Sequence, residues 1–417
     1  MDDRIPEPVE ARNYLARKAI VETEEWDDLM RGEHAHAFTV AHSRNADVLD
    51  DIFGLLNTAM AEGKSFNSFK AEMSDLMEDK GWYGRQDKTK DDKDYINWRT
   101  KLIYHVNMRT AYSAAHYRQQ VRGAAMRPIW QYISKLVGDA RREDHMALHE
   151  KAFRWDDPFW NENYPPNGWG CECAVFALSE SEAEREGVEI LKTDGNGNPP
   201  NLIDSNGNAV EWDKFAPAEW QYNPGMEALV PNFERYENLK QAGVLDSIRE
   251  RYRADVNKVK LTFGEMMAIT NAMRIQKPQR KDEYPQNNPI LYMLGNLNSN
   301  HQKAMGINDS KIMATGFRLY HGIIEKNNDQ RIPKELYNDL YELLQSPDEI
   351  YRVKKPNQPQ WGDEFHLVRK VPSYSPRILN VVVRKRDMSA LDIITAGLMG
   401  DDHGNNNYTR IWPSDGS

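Results

Sequence analysis

Residues 139–175 read DARREDHMALHEKAFRWDDPFWNENYPPNGWGCECAV, and both cysteines of the chain stand there with two of its histidines in metal-ligand spacing. His145 and His149 are four positions apart, so on a helix their rings lie one turn apart on one face. Cys171 and Cys173 flank a single residue. In an extended segment both thiols then point to the same side, with Cα atoms roughly 6.6 Å apart, near the upper limit for an unstrained disulfide. Two thiolates and two imidazoles make a tetrahedral Cys2His2 set of the kind that closes around structural zinc. The other reading is a metal-free knot, in which Trp155, Phe159, Trp160 and Trp169 surround histidines and thiols that are ordinary packed groups. The C-x-C pair is tighter than the usual zinc spacing, so both readings stand. A hydrolytic zinc is disfavoured, because four protein ligands leave no position for water.

The stretch carries a longer pattern: Arg141 and Arg142, then His145, Ala147, Leu148 and His149, then DDPFW at 156–160, then Pro165, Pro166, Gly168, Trp169, Cys171 and Cys173. In this order the residues resemble the phage Mu F-like head morphogenesis family, which takes in the SPP1-type minor head proteins. The likeness extends over about residues 10–230, including EHAHAFTVAH from Glu33 and WQYNPG from Trp220. Two positions depart from the pattern. Glu150 stands where glycine is common, and Glu172 stands where arginine is common, so a basic contact made there by relatives is not carried over. The resemblance implies a minor capsid protein of a tailed phage or prophage, associating with the portal protein and with procapsid or scaffold proteins for head assembly or DNA packaging. It also implies residence in the virion, in the head interior or near the portal, after assembly in the host cytoplasm.

A chain of 417 residues suggests two or three domains of roughly 150 residues each, and 40% hydrophobic content gives each a core. No window approaches about 18 consecutive apolar residues, and MDDRIPEPVEARN lacks the basic and apolar regions of a secretory signal, so no membrane partner is expected. Two neighbouring cysteines provide no disulfide framework. The net charge of −10 argues against a general nucleic-acid coat. Yet residues 311–417 hold 15 basic and 14 acidic side chains, and 349–390 hold nine against four, so the last part differs electrostatically from the rest.

The expected class is α+β, in four parts: a helical arm over 1–94, a central Mu F-like α+β domain with the His/Cys knot over 95–235, a helical or linker region over 236–310, and a small α+β module over 311–417. In the arm, one helix is expected at 8–31. A second carries Val48, Ile52, Leu55, Leu56 and Ala59 on one face until Gly63. Ser65 caps a third, with Phe66, Phe69, Met73, Leu76 and Met77 as its stripe. Such stripes suit packing on partner helices. The long helix at 95–122 has a packing face (Ile103, Val106, Thr110, Ala114, Tyr117) and a mixed face (Trp98, Leu102, His105, Arg109, Tyr112, His116). A strand follows Pro128, a charged helix lies in ALSESEAEREG, a hairpin turns on Asn206-Gly207, and 214–235 reads as wrapping loop. QKPQRKDEYPQNNP from Gln276 reads as a linker.

In the last module Pro333 opens a helix striped by Leu336, Leu340, Leu343 and Leu344, and strands are expected at 350–353, 365–371, 378–384 and 393–398. Helix followed by antiparallel sheet loosely resembles the small nucleases grouped with barnase, EndoU, colicin ribonucleases and RelE. That resemblance implies metal-independent RNA cleavage, which requires an acid, a base and cations at phosphorus. Candidate residues are His366 and Lys370 on one strand face, joined by His321, Arg352 and Thr395. The alternative is a non-catalytic module that adheres to partners or contacts packaged DNA; host RNA is the partner under the nuclease reading.

Overall fold

The computed structural model describes residues 9–413 apart from 44, 139–141, 195–198, 232, 241–242, 255–259, 276–290, 309, 324–329, 355, 357–361 and 387–389. The chain forms two compact units, Met1–Arg251 and Tyr252–Ser417, and each mixes helix with sheet as the α+β reading expects. Arg141 and the expected linker from Gln276 lie outside the described residues. No described helix is long and apolar enough to cross a membrane.

The first unit is built on helices whose ends are chemically marked. The Asn45 side chain accepts the Asp47 and Val48 N–H groups at 3.0 and 3.4 Å, starting the helix Ala46–Glu62, and Gly63 in the left-handed region ends it. Ser65 caps Phe66–Lys80 through the Ser68 N–H, and Gly81 closes it in the same way. Leu49, Ile52, Leu56, Phe69 and Met73 are fully buried against the helix Lys93–Arg122. The two expected faces of that helix are real: Ile103, Thr110, Ala114 and Tyr117 are buried, while Trp98 and Tyr112 are 53% and 46% exposed.

A single helix over 8–31 is not what forms. Val9–Ala16 is helical; then Ala19–Ile20 (β1) pairs in parallel with Ala37–Phe38 (β2). Beyond β1, the Asp28 carboxylate accepts the Glu24 and Glu25 N–H groups at 2.7 and 3.0 Å, so a side chain replaces the carbonyls a helix would supply. The expected strand after Pro128 is Ile129–Ile133 (β3). It is joined by Ala152–Arg154 (β4), Ala174–Leu178 (β5) and Ile190–Leu191 (β6) in the order β5-β3-β4-β6, antiparallel except β4 with β6. The other three strands of this sheet are too short, or too uniformly apolar, to show period-two alternation in the sequence. The charged helix is Glu180–Glu186, with a full capping box between Ser179 and Glu182. The hairpin near Asn206-Gly207 is present as an antiparallel bridge between Ile203 and Ala209. Within 214–235, read as loop, a helix Pro224–Leu229 forms because Asn223 caps the Gly225 and Met226 N–H groups, each at 3.0 Å.

The second unit centres on a seven-stranded sheet: Leu291–Asn296 (β7), Lys311–Thr315 (β8), Glu349–Val353 (β9), Glu364–Lys370 (β10), Arg377–Arg386 (β11), Ala390–Gly400 (β12) and Tyr408–Trp412 (β13). Its order is β13-β9-β10-β11-β12-β8-β7, antiparallel save for β12 with β8. All four expected strands fall within it, but β7 comes from the stretch read as helical or linker. Leu367, Val381 and Leu379 are fully buried on one face. There the helix Gly316–Ile323 brings Gly322 against Ala396, and Arg369 donates to the Ser346 carbonyl beyond the helix Tyr337–Leu343.

Candidate metal centre

The pairing of β3 with β5 sets Ile133 opposite Ala174 and so lays the cysteine segment beside Tyr132 and Ser134. A single-turn helix, Glu143–Met146, carries buried His145 to the same place. The imidazole Nδ1 lies 3.3 Å from the Cys173 sulfur and 3.8 Å from the Cys171 sulfur, and the three ligating atoms all fall within 4.8 Å of one another. The other ring nitrogen, Nε2, sits 2.8 Å from the Phe215 carbonyl. A carbonyl only accepts, so Nε2 carries hydrogen and Nδ1 is left free to donate its lone pair toward the thiols. That is the outer contact that orients a metal-ligating histidine.

The two sulfurs act on each other. Their mutual contact, reinforced by His145, holds the Cys173 thiol below its ordinary range, while the same contact and burial push Cys171 well up. Both thiols are free. Two sulfurs and an imidazole nitrogen are the donor set that zinc prefers, and the three residues are near enough to hold an ion.

His149 does not join them. Its Nδ1 accepts the Ser134 N–H at 3.2 Å, and its Nε2 lies 3.8 Å from Glu150. A four-residue spacing puts rings on one face only if the helix continues, and this helix stops at Met146. The objection to an open metal position therefore loses its basis, since three protein ligands gather and not four. A cavity of about 960 Å³, bounded by Arg109, His116 and Tyr164, opens onto the two cysteines.

The surrounding pattern has physical causes. Gly168 adopts φ 151°, and a Cβ there would lie 2.4 Å from the Arg142 guanidinium, which passes over it to donate to the Trp169 carbonyl at 2.5 Å. The Asp157 carboxylate accepts the Phe159 N–H, and Phe159 stacks on Phe153 with centroids 4.0 Å apart. Phe215 lies 4.6 Å from the His145 ring. In the WQYNPG stretch, Gly225 sits where a Cβ would come 2.5 Å from Tyr117, and Asn223 also donates to the Trp160 carbonyl at 2.8 Å. Glu150, at the position where glycine is common, has φ 64°, the left-handed region that disfavours side chains. Glu172 instead pairs with cations, Lys135 at 2.9 Å and Arg109 at 3.1 Å, which together lower its pKa.

The second unit brings together some of the residues proposed for RNA cleavage and separates others. His366 pairs with Tyr351 and Val382, and Val382 with Thr395, so Thr395 and Lys370 share the His366 face. Arg352 pairs with Phe365 and lies over its ring at 5.4 Å, on the other face. The helix bearing His321 packs against Ala396, again on that other face. Strand alternation makes these separations unavoidable. Lys370 is bound to Glu349 at 2.9 Å.

What His366 meets instead was not marked in the sequence. His366 Nδ1 lies 2.8 Å from His403 Nε2, His403 Nδ1 lies 3.1 Å from Asp401, and Asn380 Nδ2 lies 3.0 Å from His366 Nδ1. His403 also stacks on Tyr351 at 4.5 Å. Burial, then the neighbouring His403, lowers the His366 pKa to about 4. A lone histidine in the turn-rich run DDHGNNN is the only mark the sequence carries of this cluster.

Residues 50–176 match the family described as Phage Mu protein F like protein. The Mu-like prophage FluMu F protein of Haemophilus influenzae is 37% identical over 173 residues, 41% of this chain and 41% of that protein. The protein of Escherichia phage Mu named "Putative capsid assembly protein F" is 36% identical over 193 residues, 45% of this chain and 44% of its own length. The match thus spans less than half of each relative. No solved structure matches the chain.

Proposed function

Residues 50–176 belong to the Phage Mu F-like family, and from that premise we propose that the chain is a minor head protein of a tailed phage or prophage, joined to portal and procapsid proteins during head assembly or DNA packaging. Its place is the phage particle, in the head interior or near the portal, and the host cytoplasm while heads are built. The observation that supports this best is the match itself, together with the name of the phage Mu relative, which ties that protein to capsid assembly. Cross-linking in purified heads tests it: links to portal or head subunits are expected, and absence of the chain from purified heads overturns it.

Within this role the His145, Cys171 and Cys173 group binds structural zinc. An ion there ties the turn before β5 to the short helix after β3, joining segments that few backbone bonds otherwise connect. Cys171, Cys173 and His145 are the ligands, with a fourth position left to water or to another side chain. One equivalent of zinc in purified protein is expected, lost in Cys171→Ser and retained in His149→Ala. Metal-free protein whose melting ignores both zinc and chelator overturns this assignment.

The Asp401, His403 and His366 chain favours a second reading, in which the last module cleaves host RNA without metal. A carboxylate orienting one imidazole against another is an arrangement suited to moving protons. Full-length protein then cleaves RNA, and both His366→Ala and His403→Ala abolish cleavage. Intact RNA under the wild-type chain ends this reading and leaves the head role untouched.

A further inference from the structure

A second cavity in the first unit, of about 660 Å³, is walled by indoles: Trp26, Trp98, Trp169 and Trp220. Three of these remain well exposed at 51%, 53% and 37% for Trp26, Trp98 and Trp169, although burying an indole is among the most favourable transfers open to a side chain. Trp169 and Trp220 meet edge to face at 5.1 Å, so their ring faces are held in fixed orientation. Exposed aromatics gathered around one concavity mark recognition surfaces more often than bare chance.

The cavity also contains a charge without its opposite. Lys18 lines it, is 6% exposed, and among the described residues faces no carboxylate; its ammonium lies 5.2 Å from the Tyr14 ring. Burial alone lowers its pKa to about 7. Arg99, which also lines the cavity, is likewise buried and spends one nitrogen on the Ala41 carbonyl at 2.6 Å, with Nε unbonded. The one carboxylate of the wall, Glu219, already accepts from the Trp169 indole at 3.2 Å. A buried ammonium lacking an anion is costly, and the cost is recovered when a carboxylate arrives.

We propose that this cavity receives a short acidic segment of a partner protein, an aromatic or branched aliphatic side chain seated among the indoles and an adjacent carboxylate paired with Lys18. The indoles supply the apolar seat, and the cations of the wall select the sign of the neighbouring charge. None of His145, Cys171 and Cys173 lines this cavity, although Trp169 and Gly170 stand just before Cys171, and the inference stands whether or not the chain assembles into heads.

Tryptophan fluorescence of the full chain, titrated with the peptides acetyl-DFDL-amide and acetyl-NFNL-amide, tests it. The acidic peptide is expected to bind at least about tenfold more tightly, a margin of one well-formed ion pair. Lys18→Met removes that margin and leaves the neutral peptide unaffected. Trp98→Ala, a change at an exposed residue that leaves the core intact, weakens both peptides. Equal affinity for the two peptides, a margin that survives Lys18→Met, or no binding of either at millimolar concentration overturns the proposal.

Discussion

The two polar clusters of this protein solve opposite problems. Around Cys171 and Cys173, two sulfurs and an imidazole nitrogen converge, and the other ring nitrogen of His145 is oriented by the Phe215 carbonyl. Around His366, Nδ1 meets both His403 Nε2 and Asn380 Nδ2, His403 Nδ1 meets Asp401, and the chain ends on that carboxylate. The first cluster gathers a donor set near enough to hold an ion; the second is a hydrogen-bonded chain that leaves the Asn380 Oδ1 unmet. Buried polar groups are tolerated when satisfied, so an ion at the first cluster would use donors that otherwise face one another, while the second is held by hydrogen bonds among its own side chains.

The sharpest way to break that contrast is to remove a ligand from each. Cys171→Ser or His145→Ala should release the metal and lower stability by about 4 kcal/mol, the amount a ligand supplies at roughly 1,000 times its dissociation constant, read as a fall in melting temperature. His149→Ala should leave both metal content and melting almost unchanged.

On the sheet face the expected signature is pH dependence. His366 titrates at about 4 in the folded chain against 6.5 when free, so between these values the unfolded chain binds more protons. Stability contributed by the neutral ring is therefore complete above pH 6.5 and falls by about 3 kcal/mol as the pH drops to 4. Denaturant titration across that window checks it, and His366→Gln should flatten the acid limb. His403→Ala should cost about 2 kcal/mol at neutral pH, because a buried partner is lost from the His366 ring. An acid limb that persists unchanged in His366→Gln would assign the pH dependence to other groups.

The smallest expected effect is at Glu150. Glu150→Gly relieves a left-handed conformation worth roughly 1 kcal/mol, partly offset by the greater freedom glycine has in the unfolded chain. A gain below about 1 kcal/mol is expected, with metal content unaltered. Loss of metal in this variant would show that the Glu150 side chain supports the cluster, through its neighbour His149.

Much of the first unit was legible because its information is local. Gly63 and Ser65 punctuate the two helices as expected, and of the two apolar stripes Val48, Ile52, Leu56, Ala59, Phe69, Met73 and Met77 become buried while Leu55, Phe66 and Leu76 are partly so. The helix at 8–31 failed because Asp28, a remote-looking acid, turns the backbone, and a two-residue pairing with Ala37–Phe38 outweighs weak helical periodicity. Of the group near enough to hold an ion, Cys171, Cys173 and His145 were readable from residue type and spacing. His149 was misplaced because spacing presumes a helix longer than the one that forms.

Sequence alone determined where the capped helices Ala46–Glu62 and Phe66–Lys80 lie, most of the positions they turn inward, and which stretch holds the thiols, since these follow from side-chain chemistry acting over a few residues. Tertiary structure decided which donors share a volume. Strand register placed Arg352 and His321 across the sheet from His366 and carried Asp401 and His403 to it, and packing put Lys18 in an indole-walled cavity with no anion facing it among the described residues. The reason is physical: face and depth depend on pairings between segments far apart in the chain, and a one-residue change of register reverses them.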